Sequence, residues 1–283
     1  MRKRISLVFL VLIFFVNPAW TQAKSKVDFT KMTCTMLNGI SEREYTIYLP
    51  PSYNTDKTQT YPVLYLLHGG NCSNTDWAVY GGLQTTADSL IANGLCKEMI
   101  IVCPEGNKNN MIWFNASHWK YEDFFFKEFI PFIENHYRVI SDKKHRAVAG
   151  YSMGGGASVV YGVHHPEMFN TVYGMSSYLR SQDLAFLKKD SSATWRQQII
   201  DDNNPIKSIQ SASAAKLDSL RKVHWFIDCG DDDFTYDANI DLISAFRLQN
   251  IRYQLRIKDG GHDWNYWRPS LKEALIIVSN NMK

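Results

Sequence analysis

The amino-acid sequence predicts an α/β fold in which a mostly parallel sheet is covered by helices on both faces. Short β-rich runs alternate with helical stretches after residue 40, a pattern typical of strand–helix–strand units. Several of these runs are almost continuously apolar, as strands buried on both faces are. No linker and no internal repeat divides the 283 residues, so we expect one domain over residues 24–283.

The predicted elements follow one another from residue 44 to residue 280. The strands are Glu44–Leu49, Pro62–Leu67, Met99–Cys103, Arg146–Ala149, Thr171–Gly174, Val223–Ile227 and Arg252–Ile257. The helices are Leu83–Leu95, Tyr121–Tyr137, Met153–His165, Ile240–Leu248 and Leu271–Asn280. Pro131 lies inside the second helix and predicts a kink there. Residues 178–220 are polar and break the alternation, which predicts an insertion of short helices and loops.

The N-terminus has the pattern of a secretory signal peptide over residues 1–23. Three basic residues precede the apolar run Ile5–Val16, and small residues follow as far as Ala23. Because the apolar run is too short to span a bilayer comfortably, we expect cleavage and a secreted or periplasmic protein without a membrane anchor. Cleavage removes three of the 31 basic residues and none of the 28 acidic ones. The remaining chain has no net charge, which gives no basis for binding nucleic acid.

The five cysteines do not form a metal-binding pattern. Their number is odd and no Cys-x-x-Cys pair or Cys/His cluster with zinc spacing is present, so we expect no metal. Export allows disulfides, but the sequence leaves their pairing open.

A candidate nucleophile lies in the sequence Gly150-Tyr-Ser-Met-Gly154, which matches G-x-S-x-G. The motif follows a predicted strand and precedes a predicted helix, which is the context of a nucleophile elbow. Small flanking residues allow the tight turn, and the N–H groups that begin the helix face developing negative charge. We therefore predict that Ser152 is a catalytic nucleophile.

A serine nucleophile needs a base and an acid, which follow it in that fold in the order Ser, acid, His. Of the eight histidines, His262 has the required position, in a glycine-rich loop after the last predicted strand. The preceding strand runs into a turn that holds four aspartates between residues 228 and 233. The pattern alone does not choose among Asp231, Asp232 and Asp233.

The same chemistry needs N–H donors for the oxyanion of the tetrahedral intermediate. One predicted donor is the amide of Met153, which follows the nucleophile. The other is Gly70, in the His-Gly-Gly loop after the strand Pro62–Leu67, because this loop supplies the second donor in such folds.

With these pieces in place, the chain resembles the esterase D branch of the α/β-hydrolases, and more narrowly the bacterial feruloyl and acetyl xylan esterases of carbohydrate esterase family 1. The matching segments are YPVLYLLHGG (61–70) with Asp76-Trp77, AGYSMGGGAS (149–158), FIDCGDDDF (226–234) and GGHDWNYWRPSL (260–271). The resemblance implies an α/β-hydrolase fold that needs no cofactor. It assigns the acid to Asp233, with Asp232 as the alternative. It also implies aromatic substrate contacts, for which the candidates are Trp77, Trp113, Tyr151, Trp264 and Trp267.

The expected function is that of an exported serine esterase, without an obligate protein partner, that removes feruloyl or acetyl groups from plant cell-wall polysaccharide or oligosaccharide. Within the superfamily, the alternatives are a siderophore esterase, an acyltransferase and a formylglutathione hydrolase, the last disfavoured by export. A non-catalytic carbohydrate-binding protein on the same scaffold is the alternative from another class.

Overall fold

An eight-stranded sheet organises the part of the chain that the computed structural model describes, which is residues 24–106, 113–116, 119–179, 198–199 and 201–282. Its strands run in the order β1-β2-β4-β3-β7-β8-β9-β10, and β5 and β6 form a separate hairpin. The strands are β1 Lys26–Thr33, β2 Glu42–Leu49, β3 Val63–Leu67, β4 Ile100–Pro104, β5 Asn115–Ala116, β6 Trp119–Lys120, β7 Arg146–Tyr151, β8 Thr171–Met175, β9 His224–Gly230 and β10 Tyr253–Lys258. The predicted signal peptide, residues 1–23, lies outside the described residues.

The six strands from β4 to β10 in this order pair in parallel. Strand β2 pairs antiparallel with both β4 and the edge strand β1. This arrangement confirms the predicted mostly parallel sheet. All seven predicted strands are present, whereas β1 and the two-residue strands β5 and β6 were not predicted.

Helices cover both faces of the sheet. They are α1 Asp76–Val79, α2 Leu83–Ala92, α3 Tyr121–Phe124, α4 Ile130–His136, α5 Met153–His164, α6 Pro205–Gln210, α7 Ala214–Leu220, α8 Tyr236–Leu248 and α9 Trp264–Asn281. One core layer holds side chains of α3, α4, α5 and α8, and the opposite layer holds side chains of α1, α2 and α9. Successive residues of β3 alternate between the two layers, as the two-residue period of a strand requires.

A π-helical segment, Phe125–Phe129, lies between α3 and α4, directly before the position where the sequence predicts a kink at Pro131. The Ile130 N–H bonds to the Phe125 carbonyl in place of the usual i→i−4 partner. A wider turn before a proline accommodates its missing N–H and its ring.

The predicted insertion is described only in part. Its short helices α6 and α7 are as expected, and residues 180–197 lie outside the described residues. Within the described part of the chain, none of the helices has the length and apolar character needed to cross a membrane. All five cysteines are unpaired thiols.

The order of the strands fixes where a site can form. After β3 the chain crosses to β4 on one side, and it then returns to place β7 on the other side of β3. In open α/β sheets, ligands bind outside the carboxyl ends of the strands at such a switch point. The loop after β3 carries Gly70 and the turn after β7 carries Ser152.

Candidate active site

Ser152 occupies a strained turn between β7 and α5. Its backbone has φ 55° and ψ −122°, a conformation that is rare for a residue with a side chain and concentrates at functional sites. A methyl group on Gly154 would lie 2.4 Å from the His68 carbonyl oxygen. The turn therefore requires glycine at this position, as the G-x-S-x-G pattern predicts.

The backbone around Ser152 is held by three hydrogen bonds. Its N–H donates to the Met175 carbonyl at 3.0 Å, and its carbonyl accepts from the N–H groups of Gly156 and Tyr178, both at 2.9 Å. These bonds tie the elbow to β8 and to the segment after it, so the surrounding structure maintains the strained conformation.

The base predicted from the sequence, His262, faces Ser152 across the carboxyl ends of the strands. Its Nε2 lies 2.8 Å from the Ser152 Oγ, and its Nδ1 lies 2.9 Å from both carboxylate oxygens of Asp233. A carboxylate beside Nδ1 fixes the ring proton there, and Nε2 is then the acceptor for the serine hydroxyl. The imidazole packs against the rings of Phe234 and Trp267, at centroid distances of 4.3 and 5.0 Å.

The structure distinguishes the aspartates that the sequence pattern left open. Asp233 is 3% exposed, and its Oδ1 also accepts bonds from the Thr235 N–H and hydroxyl at 2.8 and 2.7 Å. Asp231 and Asp232 are exposed. Burial alone would raise the pKa of Asp233, but the hydrogen bond and charge of His262, together with hydrogen bonds from the Thr235 N–H and the Ser176 side chain, outweigh it and lower the pKa. The group is thus held as a carboxylate beside the histidine.

Backbone contacts bring the acid turn and the histidine loop together. The N–H groups of Asp231 and Asp232 donate to the carbonyls of Lys258 and Gly260, each at 3.1 Å. A methyl group on Gly230 would lie 2.0 Å from the Gly260 oxygen. The close approach of these loops sets the distance between the acid and the base.

The predicted oxyanion-hole residues lie beside the nucleophile. Met153 begins α5, and the first N–H groups of a helix have no partner within it. The Gly70 backbone faces the Met153 side chain, since a Cβ on Gly70 would lie 2.4 Å from the Met153 Sδ. Both residues are therefore positioned near the Ser152 turn.

Of the five predicted aromatic contacts, four are buried and one is partly exposed. Trp77, Trp113 and Tyr151 are at most 1% exposed, so they pack beneath the site and do not line it. This corrects the expectation that they contact substrate directly. Trp267 is buried against His262, and Trp264 is partly exposed.

Two residues that the sequence analysis did not identify adjoin the triad. Phe234 directly follows the acid, covers one face of His262 and is 42% exposed. Ser176 is buried with φ 46°, and its Oγ lies 3.0 Å from the Trp267 Nε1 that donates to it. The position of Phe234 next to Asp233 in the sequence could have indicated that it lies at the site. Ser176 is a single serine after β8, and no sequence pattern indicated it.

One group of carboxylates in the described part of the chain has the spacing of metal ligands. Asp231, Asp232 and Asp259 lie within reach of a common point, and all three are exposed. Solvated acidic groups of this kind are common at turns, and the cluster by itself does not assign a metal.

Comparisons with known proteins give a family match and several similar proteins. A family model described as "Putative esterase" matches residues 40–278. The chain is 28% identical over 234 residues to an endo-1,4-β-xylanase/feruloyl esterase of Xylanibacter ruminicola, covering 80% of this chain but only 28% of that protein. It is 23% identical to an acetyl esterase of Caldicellulosiruptor saccharolyticus over 76% of this chain and 82% of that one. A ferulic acid esterase of known structure superposes with a TM-score of 0.86 and 40% identity, covering 92% of this chain and 99% of that one.

Proposed function

Since the chain belongs to this esterase family and is a serine carboxylic ester hydrolase, we propose that it releases feruloyl groups from plant cell-wall polysaccharide such as arabinoxylan. Two similar proteins support feruloyl as the acyl group that is released. They are the xylanase/feruloyl esterase, of which this chain spans about a quarter, and the ferulic acid esterase of known structure. We also propose that Ser152, His262 and Asp233 carry out the reaction.

In the proposed first half-reaction, His262 Nε2 takes the hydroxyl proton as Ser152 Oγ attacks the ester carbonyl. The 2.8 Å separation of these atoms allows direct transfer. Asp233 holds the Nδ1 proton and stabilises the imidazolium that forms. The amides of Gly70 and Met153 donate to the oxyanion. His262 then gives its proton to the leaving sugar oxygen, and an acyl-enzyme remains.

In the second half-reaction, His262 removes a proton from water, which attacks the acyl-enzyme carbonyl. A second oxyanion collapses, the Ser152 Oγ takes the proton back, and the carboxylic acid leaves. The observation that carries this proposal is the single imidazole that bridges the serine and a buried carboxylate, with both ring nitrogens within 2.9 Å of their partners.

The proposal is tested by the change Ser152→Ala. Ser244→Ala is the control, because Ser244 is an exposed helical serine whose hydroxyl donates to the Ile240 carbonyl of its own helix. We expect Ser152→Ala to lower kcat for ferulate release by about 10⁴-fold or more, with an unchanged melting temperature. It should also abolish labelling by an organophosphate. Wild-type turnover by Ser152→Ala would refute the assignment of the nucleophile.

Acetyl release is the second candidate, because the acetyl esterase relative matches most of both chains. Product analysis on methyl ferulate, p-nitrophenyl acetate and acetylated xylan separates the two activities. Hydrolysis confined to the acetyl esters would replace the feruloyl assignment.

We further propose that the protein acts outside the cytoplasm, because residues 1–23 combine a basic start, an apolar run and a small-residue end. N-terminal sequencing of the extracellular or periplasmic protein should then begin at Lys24. An intact Met1 on the active protein would contradict this proposal.

A further inference from the structure

A groove of about 740 Å³ opens beside the loop that follows Gly70. Its volume is within the range of roughly 300–1,000 Å³ that small-molecule sites occupy. The described residues that line it come from β1, β2, the loop after β3 and the end of β4: Phe29, Thr30, Lys31, Glu44, Asn71, Cys72, Ser73, Asn74, Thr75 and Glu105.

The groove and the proposed active site are linked by the loop after β3, which contributes residues to both. Asn71 and Cys72 directly follow Gly70, and Gly70 contacts Met153, the residue after the nucleophile. Glu105 follows β4, so the groove lies at the same carboxyl edge of the parallel strands as Ser152. A ligand attached to an ester at Ser152 can therefore extend along this edge towards β1.

Two buried polar residues in the lining of the groove are held by hydrogen bonds. Glu105 is 2% exposed and Asn74 is 6% exposed. The Asn74 N–H donates to Glu105 Oε2 at 3.0 Å, and the Asn74 side-chain amide donates to the Thr46 hydroxyl, also at 3.0 Å. Polar side chains fixed in this way provide directional hydrogen bonding without the entropy loss of ordering flexible groups.

The rim of the groove supplies an aromatic face. Phe29 lies on the edge strand β1 and is 58% exposed, an unusual position for a large apolar ring. An exposed ring next to amide, hydroxyl and carboxylate groups matches a sugar, which presents an apolar C–H face and a border of hydroxyls. The cation in the lining, Lys31, is paired with Glu42 at 2.6 Å, and the lining includes Glu44 and Glu105. The net charge of the lining is therefore acidic, which disfavours an anionic ligand and is compatible with a neutral one.

We propose that this groove binds the neutral oligosaccharide that carries the ester, with Phe29 stacking on one sugar ring. This inference rests on the proposed function and adds a second contact region, separate from the atoms that react. Small esters do not reach Phe29, whereas oligosaccharide esters do.

The test compares Phe29→Ala with Leu248→Ala, which removes a 73% exposed side chain from the end of α8. Activity is measured on a feruloylated arabinoxylo-oligosaccharide and on methyl ferulate. We expect Phe29→Ala to lower the ratio of kcat/KM for the oligosaccharide ester to that for methyl ferulate by about three- to tenfold, mainly through KM. Phe29→Trp should restore the ratio, and Leu248→Ala should leave both values unchanged.

Direct binding separates this inference from the proposed function. Calorimetry with unesterified xylo-oligosaccharide needs no turnover, and the affinity should fall by a similar factor in Phe29→Ala. An unchanged activity ratio together with unchanged binding would overturn the groove assignment while leaving the esterase activity intact. If the wild-type protein did not hydrolyse ferulate esters, the proposed function would be overturned instead.

Discussion

Replacing Asp233 by Asn tests the acid of the proposed triad with little change in volume. The amide would face His262 Nδ1, where the carboxylate oxygens now lie at 2.9 Å. An amide N–H directed at Nδ1 favours the wrong ring tautomer, in which Nε2 carries the proton and cannot accept from Ser152. The variant also loses the negative charge that stabilises the imidazolium formed in the transition state.

The size of the effect follows from the burial of this pair. Asp233 has a fully buried side chain and His262 is 18% exposed, so an effective dielectric constant of about 20 applies. Opposite charges about 4 Å apart then attract by about 4 kcal/mol. Since each 1.36 kcal/mol corresponds to about tenfold in rate, loss of the charge alone lowers kcat by about 10³-fold. The tautomer change extends the expected loss to about 10³–10⁴-fold.

The assay is kcat on p-nitrophenyl acetate and methyl ferulate, with the melting temperature recorded for each variant. Asp232→Asn is the matched control, because this residue is exposed and adjacent in sequence. We expect its kcat to remain within about twofold of wild type, as is usual for exposed substitutions. If Asp233→Asn kept more than a tenth of wild-type kcat while Asp232→Asn lost activity, the reasoning from burial and hydrogen bonding would be wrong.

Two further predictions concern stability. Gly154→Ala should lower the free energy of unfolding by about 1–3 kcal/mol in urea titrations, because its methyl group would lie 2.4 Å from the His68 carbonyl oxygen. A higher free energy of unfolding, as the helix propensity of alanine alone would give, would contradict this. Burial alone would raise the pKa of Glu122, but hydrogen bonds and charge from His164 and His165 lower it from 4.5 to about 2. Because the folded-state pKa is depressed, the carboxylate stabilises the fold by up to about 3 kcal/mol above pH 4.5, and this contribution disappears as the pH falls towards 2. Glu122→Gln should therefore flatten the loss of stability between pH 5 and pH 3 in urea titrations, and an unchanged slope would count against the assignment.

The central strands were predictable because their apolar runs are buried on both faces. Strand β1 was not predictable, since it lies at an edge, is exposed or only partly buried at every position except Met32, and contains two lysines and an aspartate. The last helix was predicted over Leu271–Asn280, but α9 begins at Trp264 and contains Pro269. The carboxylate of Asp263 accepts from the N–H groups of the next turn, and this cap stabilises the added turns.

The candidate site was predictable where chain order and turn geometry constrain it, as at Ser152 and His262. Residue types alone left three aspartates open, because only the folded chain separates the buried Asp233 from its exposed neighbours. They also did not distinguish aromatic residues beneath the site from those at its surface. Trp77 and Phe29 are both large apolar side chains, yet one is 0% and the other 58% exposed.

The pairing of β3 with β7 also has a consequence for how the enzyme acquires activity. Val63 pairs with Arg146, so this contact closes a loop of about 80 residues, and the entropy lost on closure rises with loop length. Parallel pairings between distant segments form slowly during folding. Gly70 and Ser152, to which we assign the oxyanion donor and the nucleophile, directly follow these two strands. They reach each other only when this closure is complete. The recovery of turnover during refolding therefore reports when the centre of the sheet has formed. It should be slower than the recovery of the helical circular dichroism signal.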